Sequence, residues 1–360
     1  MENAEIVVSA PGRLCLFGEH QDYFGLPVIA AAINLRIRIS GKRRDDPKFV
    51  IQQPDIDARD EFHLKDEIKY TRKRDYLKSV IVVLRRRGIS FPYGWECLVK
   101  GTIPINSGTS SSSALVVAWI KFLLEAAGHA DANSPETIAE LAFQAEVAEF
   151  NEPGGKMDHY TCALGGVVNI QFSDKLRVNR LHSPLREFVL ADSMIKKDTR
   201  GTLDYIKSRV FSGVKRLQKR METFHLNGII GEREKAEMAK LPANSRRLIE
   251  GTLKTRDLTS HGESLFQTEP FEHERFGEML NRQQDVLRNY LSVSSPKLDR
   301  MIDTALEAGA LGAKINGSGE GGCIFAYCPE KSGQVAEALR RTGAKVSIVH
   351  VDEGVRLESL

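Results

Sequence analysis

The chain has 360 residues, 41% hydrophobic and 28% charged, a globular mixture with length for two or three domains and no need of a disulfide or metal staple. Lys+Arg total 51 and Asp+Glu 48, a formal net charge of +3, so no overall field argues for nucleic acid or an anionic membrane. Disorder, collagen and coiled coil are disfavoured, and every apolar stretch falls short of the roughly 20 residues that span a bilayer. The first residues carry neither a basic nor an apolar segment, so a secretory leader is not expected. The five cysteines, Cys15, Cys97, Cys162, Cys323 and Cys328, are odd in number and form no CxxC pair. Reduced thiols in a cytoplasm are expected, with Cys15 and Cys323 as small packed side chains.

In chain order, residues 6–9 read as a strand broken at Pro11-Gly12. Residues 28–39 end in period-two alternation, a half-buried strand. Residues 41–47, charged and closed by Pro47, read as a solvated hairpin loop, with 49–52 as the return strand. Tyr76, Leu77, Val80, Ile81 and Leu84 recur at helical spacing up to Gly88, and 95–99 reads as a strand. A helix is expected over 111–127. Ser134-Pro135 then caps another, with its stripe on Ile138, Leu141, Ala142, Ala145 and Ala148. Gly154-Gly155 breaks the chain before a helical start at Met157 and a strand over 167–172. Strands first and helices after is an α+β pattern. The pattern weakens over 174–190, where the domain boundary is placed. Charged amphipathic helices are expected over 201–227 and 232–257, then helices over 272–291 and 296–310. The end alternates strand 313–315, a glycine turn, strand 323–328, helix 331–342 and strand 345–351.

Three loops carry chemistry. In Ser107-Gly108-Thr109-Ser110-Ser111-Ser112-Ser113-Ala114, small residues let a backbone approach phosphate and a helix start presents free N–H groups. A serine-rich cap on a core helix fits these residues equally well, and Gly-Lys-Ser/Thr of a Walker A loop is missing. Gly317-Ser318-Gly319-Glu320-Gly321-Gly322 satisfies GxGxxG. It precedes a strand near the C-terminus, so it is no Rossmann loop. The sequon Asn316-Gly317-Ser318 is expected to be chance. In the segment 11–23, Arg13, Glu19, His20 and Asp22 stand within ten residues beside glycines, a set suited to several hydroxyls of a polyol. His20 has no HxxxH or HxH partner, which argues against a metal role.

Together these loops resemble the GHMP small-molecule kinases, the galactokinase, homoserine kinase, mevalonate kinase and phosphomevalonate kinase family. APGRLCLFGEHQDYFGLPV resembles the galactokinase signature, IPINSGTSSSSA the nucleotide loop and KINGSGEGGC the C-terminal glycine motif, in the family's order. Pro153-Gly154-Gly155-Lys156-Met157-Asp158 is a fourth match, and similarity also runs through YLSVSSPKLDRMIDTALEAGALGAK. The resemblance implies an α+β fold of two parts, a ribosomal-S5-like N-terminal half over 1–185 and a ferredoxin-like C-terminal half over 186–360, with the active site between them. It implies an ATP- and Mg2+-dependent sugar kinase acting on the anomeric hydroxyl of galactose or a related sugar. Matched position by position, Asp158 is the catalytic aspartate and Arg13 its neighbour. Glu19, His20, Asp22, Gly155 and, with a gap, Tyr205 take sugar-binding places. Ser107, Gly108, Thr109, Ser110, Ser111, Ser112, Ser113, Gly317 and Gly319 take ATP-binding places. Ser112 and Glu146 match the magnesium ligands, Glu146 standing twelve residues before Asp158.

Phosphoryl transfer needs positioning and charge neutralisation more than covalent chemistry. Asp158 is expected to accept the hydroxyl proton while Arg13 keeps it ionised, since a neighbouring opposite charge lowers an Asp pKa by about 1–3 units. Several residues depart from the galactokinase pattern. Asn106-Ser107 replaces glycines, Thr109 replaces a leucine, Phe24 follows Tyr23, and Glu320 brings a carboxylate into the glycine motif. Lys156, Lys196 and Lys197 are additions, compatible with an anionic sugar and equally with surface charge. The runner-up is therefore a kinase of the same family for a uronic acid, heptose phosphate or mevalonate-like acid. From another class comes a catalytically silent sugar sensor, against which Arg13, Asp158, Ser112 and Glu146 all argue. No aromatic–basic stripe supports nucleic-acid binding.

Overall fold

The structure, a computed structural model, describes residues 5–172 and 175–359. The first part contains β1 (Glu5–Phe17), β2 (Val28–Arg43), β3 (Lys48–Gln53), β4 (Ala58–His63), α1 (Tyr76–Arg86), β5 (Trp95–Gly101), α2 (Ser111–Ala126), α3 (Pro135–Phe143), α4 (Met157–Leu164), β6 (Val167–Phe172) and β7 (Leu176–Leu181). There follow β8 (Phe188–Asp192), α5 (Thr199–Gln218), α6 (Glu232–Ala239), α7 (Ala243–Leu265), α8 (His273–Val286), α9 (Pro296–Glu307), β9 (Gly312–Ile315), β10 (Cys323–Tyr327), α10 (Ser332–Arg341), β11 (Lys345–Val349) and β12 (Arg356–Leu357). One sheet runs β12-β1-β2-β5-β3-β4, with β6 on the other half of β2 and β7 beyond it. The second sheet, β11-β8-β10-β9, is antiparallel throughout.

The first sheet carries α1–α4. On α1 the stripe Leu77, Val80, Ile81 and Leu84 is buried as its spacing predicts. Helix α2 is apolar nearly all round, because the sheet lies on one side and α3 and α4 on the other. Its one buried cation, Lys121, donates to the Ala132 carbonyl at 2.8 Å. Alternation divides the second sheet between two cores. Val189, Ala191, Ile324 and Ala326 pack with α5, α7, α9 and α10. Phe188, Leu190, Phe325 and Tyr327 pack with Leu14, Leu16, Ile29 and Ile33 of the first sheet. That second core joins the two parts below the cleft.

Several expectations are corrected. β1 continues past Pro11 to Phe17, since a register shift at Pro11/Gly12 absorbs the proline and keeps the ladder with β2. Residues 41–47 close no hairpin: β2 runs to Arg43 and pairs with β5, which separates it from β3. β4 and β7 escaped detection because their polar, half-exposed faces carry little apolar alternation. The helix expected over 201–227 stops at Gln218, and that over 232–257 divides at Pro242 into α6 and α7. The chain changes sheets between Leu181 and Phe188 but does not stay, since β12 pairs with β1 and Val351 and Glu353 bridge to Ile33 and Gly165. The C-terminal residues therefore belong to the first sheet. All five cysteines are buried free thiols.

Candidate active site

Several segments line one cleft of ≈ 210 Å³. The first is the start of α2. Asn106, Gly108 and Ser110 all have positive φ (55, 84 and 60°), a zigzag that turns the chain sharply into the helix. The first intrahelical bond is Ala114 N–H to the Ser110 carbonyl, at 2.9 Å. The N–H groups of residues 111–113 are thus left free at the positive end of a sixteen-residue helix.

The glycine turn after β9 braces this loop. Cys323 N–H donates to the Ser107 carbonyl at 2.8 Å, and a Cβ on Gly322 would lie 2.6 Å from that oxygen. Asn316 ties three motifs together: its Oδ1 accepts from Cys15 N–H at 2.9 Å, and its Nδ2 donates to the carbonyls of Gly108 and Arg13 at 2.9 and 3.2 Å. This amide is fully buried, which leaves no room for a glycan on the sequon. Glu320 turns away from the cleft, its Oε2 accepting from the Thr202 hydroxyl at 2.6 Å.

Arg13 and Asp158 meet at the cleft floor. Arg13 Nε donates to Asp158 Oδ1 at 2.8 Å, and Nη1 to the Gly108 carbonyl. Gly12 allows this approach, since a Cβ there would lie 2.9 Å from the Thr109 carbonyl. Burial opposes ionisation of Asp158, but Arg13, the Ser110 hydroxyl and His159 outweigh it and hold the carboxyl below its ordinary pKa. Asp22 faces the opposite result. Burial and then the Asp158 charge push its pKa up to about 6, although Met157 and Tyr23 N–H donate to it at 3.2 and 2.9 Å. Gly155 touches Asp22 so closely that a Cβ would sit 2.1 Å from its Oδ2. His20, at φ 61°, is held between the Tyr23 hydroxyl (2.8 Å) and the Ser318 carbonyl (3.1 Å), and burial lowers its pKa to about 4. A neutral imidazole and a carboxylate therefore face the same space at pH 7.

Glu146 comes from one π turn (Gln144–Ala148) that continues α3, an irregularity frequent at functional sites. His159 Nε2 lies 2.8 Å from Glu146 Oε2 and orients the carboxylate. Glu146 and the exposed Ser112 hydroxyl both line the cleft. Hard oxygen donors of this kind, with a single carboxylate, fit Mg2+, which completes its shell with phosphate and water oxygens.

The cleft thus brings together Arg13, Glu19, His20, Asp22, Ser107, Gly108, Ser110, Ser111, Ser112, Ser113, Glu146, Gly155, Asp158 and Gly317. Three expected residues stand elsewhere. Thr109 is buried, its hydroxyl donating to the Pro104 carbonyl at 3.1 Å. Gly319 packs on Val293, whose carbonyl would lie 2.5 Å from a Cβ. Tyr205 lies on the outer face of α5, its hydroxyl 2.6 Å from Asn244 Nδ2; the first turn of α5 brings Thr199, Arg200 and Leu203 to the cleft instead. Lys156 pairs with Glu140 at 2.7 Å and lies over the Phe143 ring, and Lys196 is exposed. Lys197 alone of the three added lysines enters the site. Its Nζ lies 3.1 Å from Ser318 Oγ, and burial, then Arg13, lower its pKa to about 8.

Sequence reasoning missed Lys314, His159, Arg74, Tyr76, Thr199, Arg200 and Leu203. Lys314 had a signal, a lone lysine between Ala313 and Ile315 on a strand. Its ammonium donates to Glu19 Oε1 and to the carbonyls of Cys15 and Ile315, at 3.0 and 2.9 Å. Both side chains of this pair are fully buried, and Glu19 Oε2 has no hydrogen-bond partner among the described residues.

Residues 75–166 match the GHMP kinases N terminal domain, 268–345 the GHMP kinases C terminal domain, and 1–43 the galactokinase galactose-binding signature. The chain is 28% identical to a galactokinase of Mannheimia succiniciproducens, over 98% of this chain and 95% of that one. It is 27% identical to a mevalonate kinase of Thermococcus gammatolerans, over 99% of each. The crystal structure of Lactococcus lactis galactokinase complexed with galactose superposes with a TM-score of 0.84 at 23% identity, covering 98% of this chain and 95% of that one. With both domains and the N-terminal signature in place around one cleft, the chain belongs to the GHMP kinase family, on its galactokinase-like side.

Proposed function

We propose that the protein is an ATP-dependent sugar kinase that phosphorylates the anomeric hydroxyl of galactose or a related sugar, with Asp158 as the base. The observation that carries this is the Arg13–Asp158 pair at the cleft floor, between the free amides of α2 and the polyol-binding set His20, Asp22 and Gly155. Asp158 takes the proton from the sugar hydroxyl. That oxygen bonds to the γ-phosphorus of ATP as the bond to the β–γ bridging oxygen breaks, and ADP leaves. Amides 111–113, Arg13 and Lys197 oppose the charge on the transferred group. Ser112 and Glu146 would hold Mg2+, which supplies further neutralisation of phosphate charge. His20 and Asp22 serve sugar hydroxyls, and the unpartnered Glu19 Oε2 offers a further acceptor.

The test is ADP release with ATP and Mg2+ across galactose, its derivatives and other hydroxy compounds, with the phosphate located on the product by NMR. Sugar-dependent ADP and a 1-phosphate are expected. ATP bound without sugar-dependent turnover would overturn the reading in favour of a sensor.

Two outcomes follow from the geometry. Substitution Gly155→Ala is expected to displace the Asp22 carboxylate and raise KM for the sugar by about tenfold to a hundredfold, with little change in KM for ATP. Titration of kcat/KM against pH should give a bell. Asp22 acts ionised, so activity falls as pH drops through about 6; Lys197 acts protonated, so activity falls as pH rises through about 8. A profile flat from pH 5 to 9, to set the range at about two units either side of neutrality, contradicts both assignments.

A further inference from the structure

Helix α5 packs on the acceptor side of the cleft. Lys207 Nζ donates to the Pro153 carbonyl at 3.2 Å and lies 5.5 Å from the centre of the Tyr23 ring, so α5 stands beside the segment that holds Asp22. The aromatic residue expected there, Tyr205, faces outward to Asn244, and Arg200 lines the cleft in its stead.

Arg200 lines the cleft and meets its carboxylate neighbours only at long range. Glu152 already holds Arg74 through both oxygens, Nε to Oε1 at 3.0 Å and Nη2 to Oε2 at 2.8 Å. Arg200 reaches Glu152 only at 3.8 Å and the exposed Asp204 at 3.6 Å. Arg74 and Arg200 thus share Glu152 at the cleft wall, and Arg200 has the exposed Asp204 besides. For ATP, the proposed neutralising groups are the α2 amides, Arg13 and Lys197. A neutral sugar has hydroxyls, which His20 and Asp22 suit; a guanidinium fork suits a carboxylate or a phosphate.

We propose that the acceptor is an acidic sugar, with its carboxylate or phosphate seated against Arg200 at the end away from the reacting hydroxyl; this rests on the sugar-kinase reading above. Arg200 is then the residue that determines specificity, and Lys156 and Lys196 take no part.

The experiment compares kcat/KM for galactose, galacturonate and galactose 6-phosphate in the intact protein and in Arg200→Leu and Arg200→Lys. At least one acid is expected to exceed galactose by about tenfold or more, the size of one charge-assisted contact, and the two acids separate carboxylate from phosphate. In Arg200→Leu the acid-to-neutral ratio should fall by about the same factor, through KM, with Arg200→Lys recovering part of it. Galactose turned over as well as either acid, or an unchanged ratio in Arg200→Leu, overturns the inference while the kinase reading stands. No ADP from any acceptor removes both.

Discussion

Substitution of Asp158 by asparagine is expected to lower turnover by about 10²- to 10⁴-fold, the usual contribution of a positioned acid or base, while ATP binding is kept. Asparagine preserves the shape and one acceptor for Arg13 Nε, which approaches at 2.8 Å in the parent. It removes the proton acceptor and one negative charge beside the triphosphate, so nucleotide affinity should hold or rise. In the proposed reaction the Asp158 carboxylate, held by Arg13 below its ordinary pKa, is a weak base that contributes chiefly by orienting the hydroxyl and receiving its proton late. It also follows that the limbs of the pH profile belong to Asp22 and Lys197, not to Asp158. Single-turnover kinetics and titration with a fluorescent ATP analogue measure the two quantities separately. Parental turnover in Asp158→Asn would falsify the assignment of the base.

The second large effect concerns stability. Lys314→Met is expected to destabilise the fold by about 3–5 kcal/mol, because it leaves the Glu19 carboxylate buried without its cation. Glu19→Gln should cost less, since the Lys314 ammonium keeps the carbonyls of Cys15 and Ile315 and the face of Phe325, 4.9 Å away. The double variant Glu19→Gln/Lys314→Met should recover part of the loss, as both buried charges are gone. Urea denaturation of the three variants gives the comparison. Equal, small losses in all three would show that the pair is not charged in the folded state. The pair joins the segment after β1 to β9, so its loss is also expected to loosen the cleft.

Much of the site was legible because its residues lie in short, contiguous motifs. Arg13, Glu19, His20 and Asp22 occupy ten positions, the serines leading into and opening α2 seven, and each segment ends on a glycine or a helix start whose local chemistry is visible in the letters. Elements with strong periodicity were legible for the same reason: α1, α2 and α9 each present the stripe or apolar run that buries them. β4 and β7 were not, being edge strands whose polar residues face water and whose pairing depends on neighbours far along the chain. The separation of β2 from β3 by β5 likewise leaves no local trace, since any of these strands satisfies its backbone equally in another order.

The sequence by itself determined the family, the α+β class, the three loops and the identity of the groups proposed to meet a phosphate or a polyol. These depend on residue type and near spacing. Only the tertiary structure decided which charges enter the cleft. Lys156 and Lys197 carry the same group, yet one is drawn to Glu140 and the other is enclosed beside Ser318. Tyr205 and Arg200 share a helix, and its rotation against Pro153 and Asn244 places the arginine inside and the tyrosine out. Such choices are set by contacts between residues 16 to 121 positions apart, where packing and the cost of burying an unpaired charge act together.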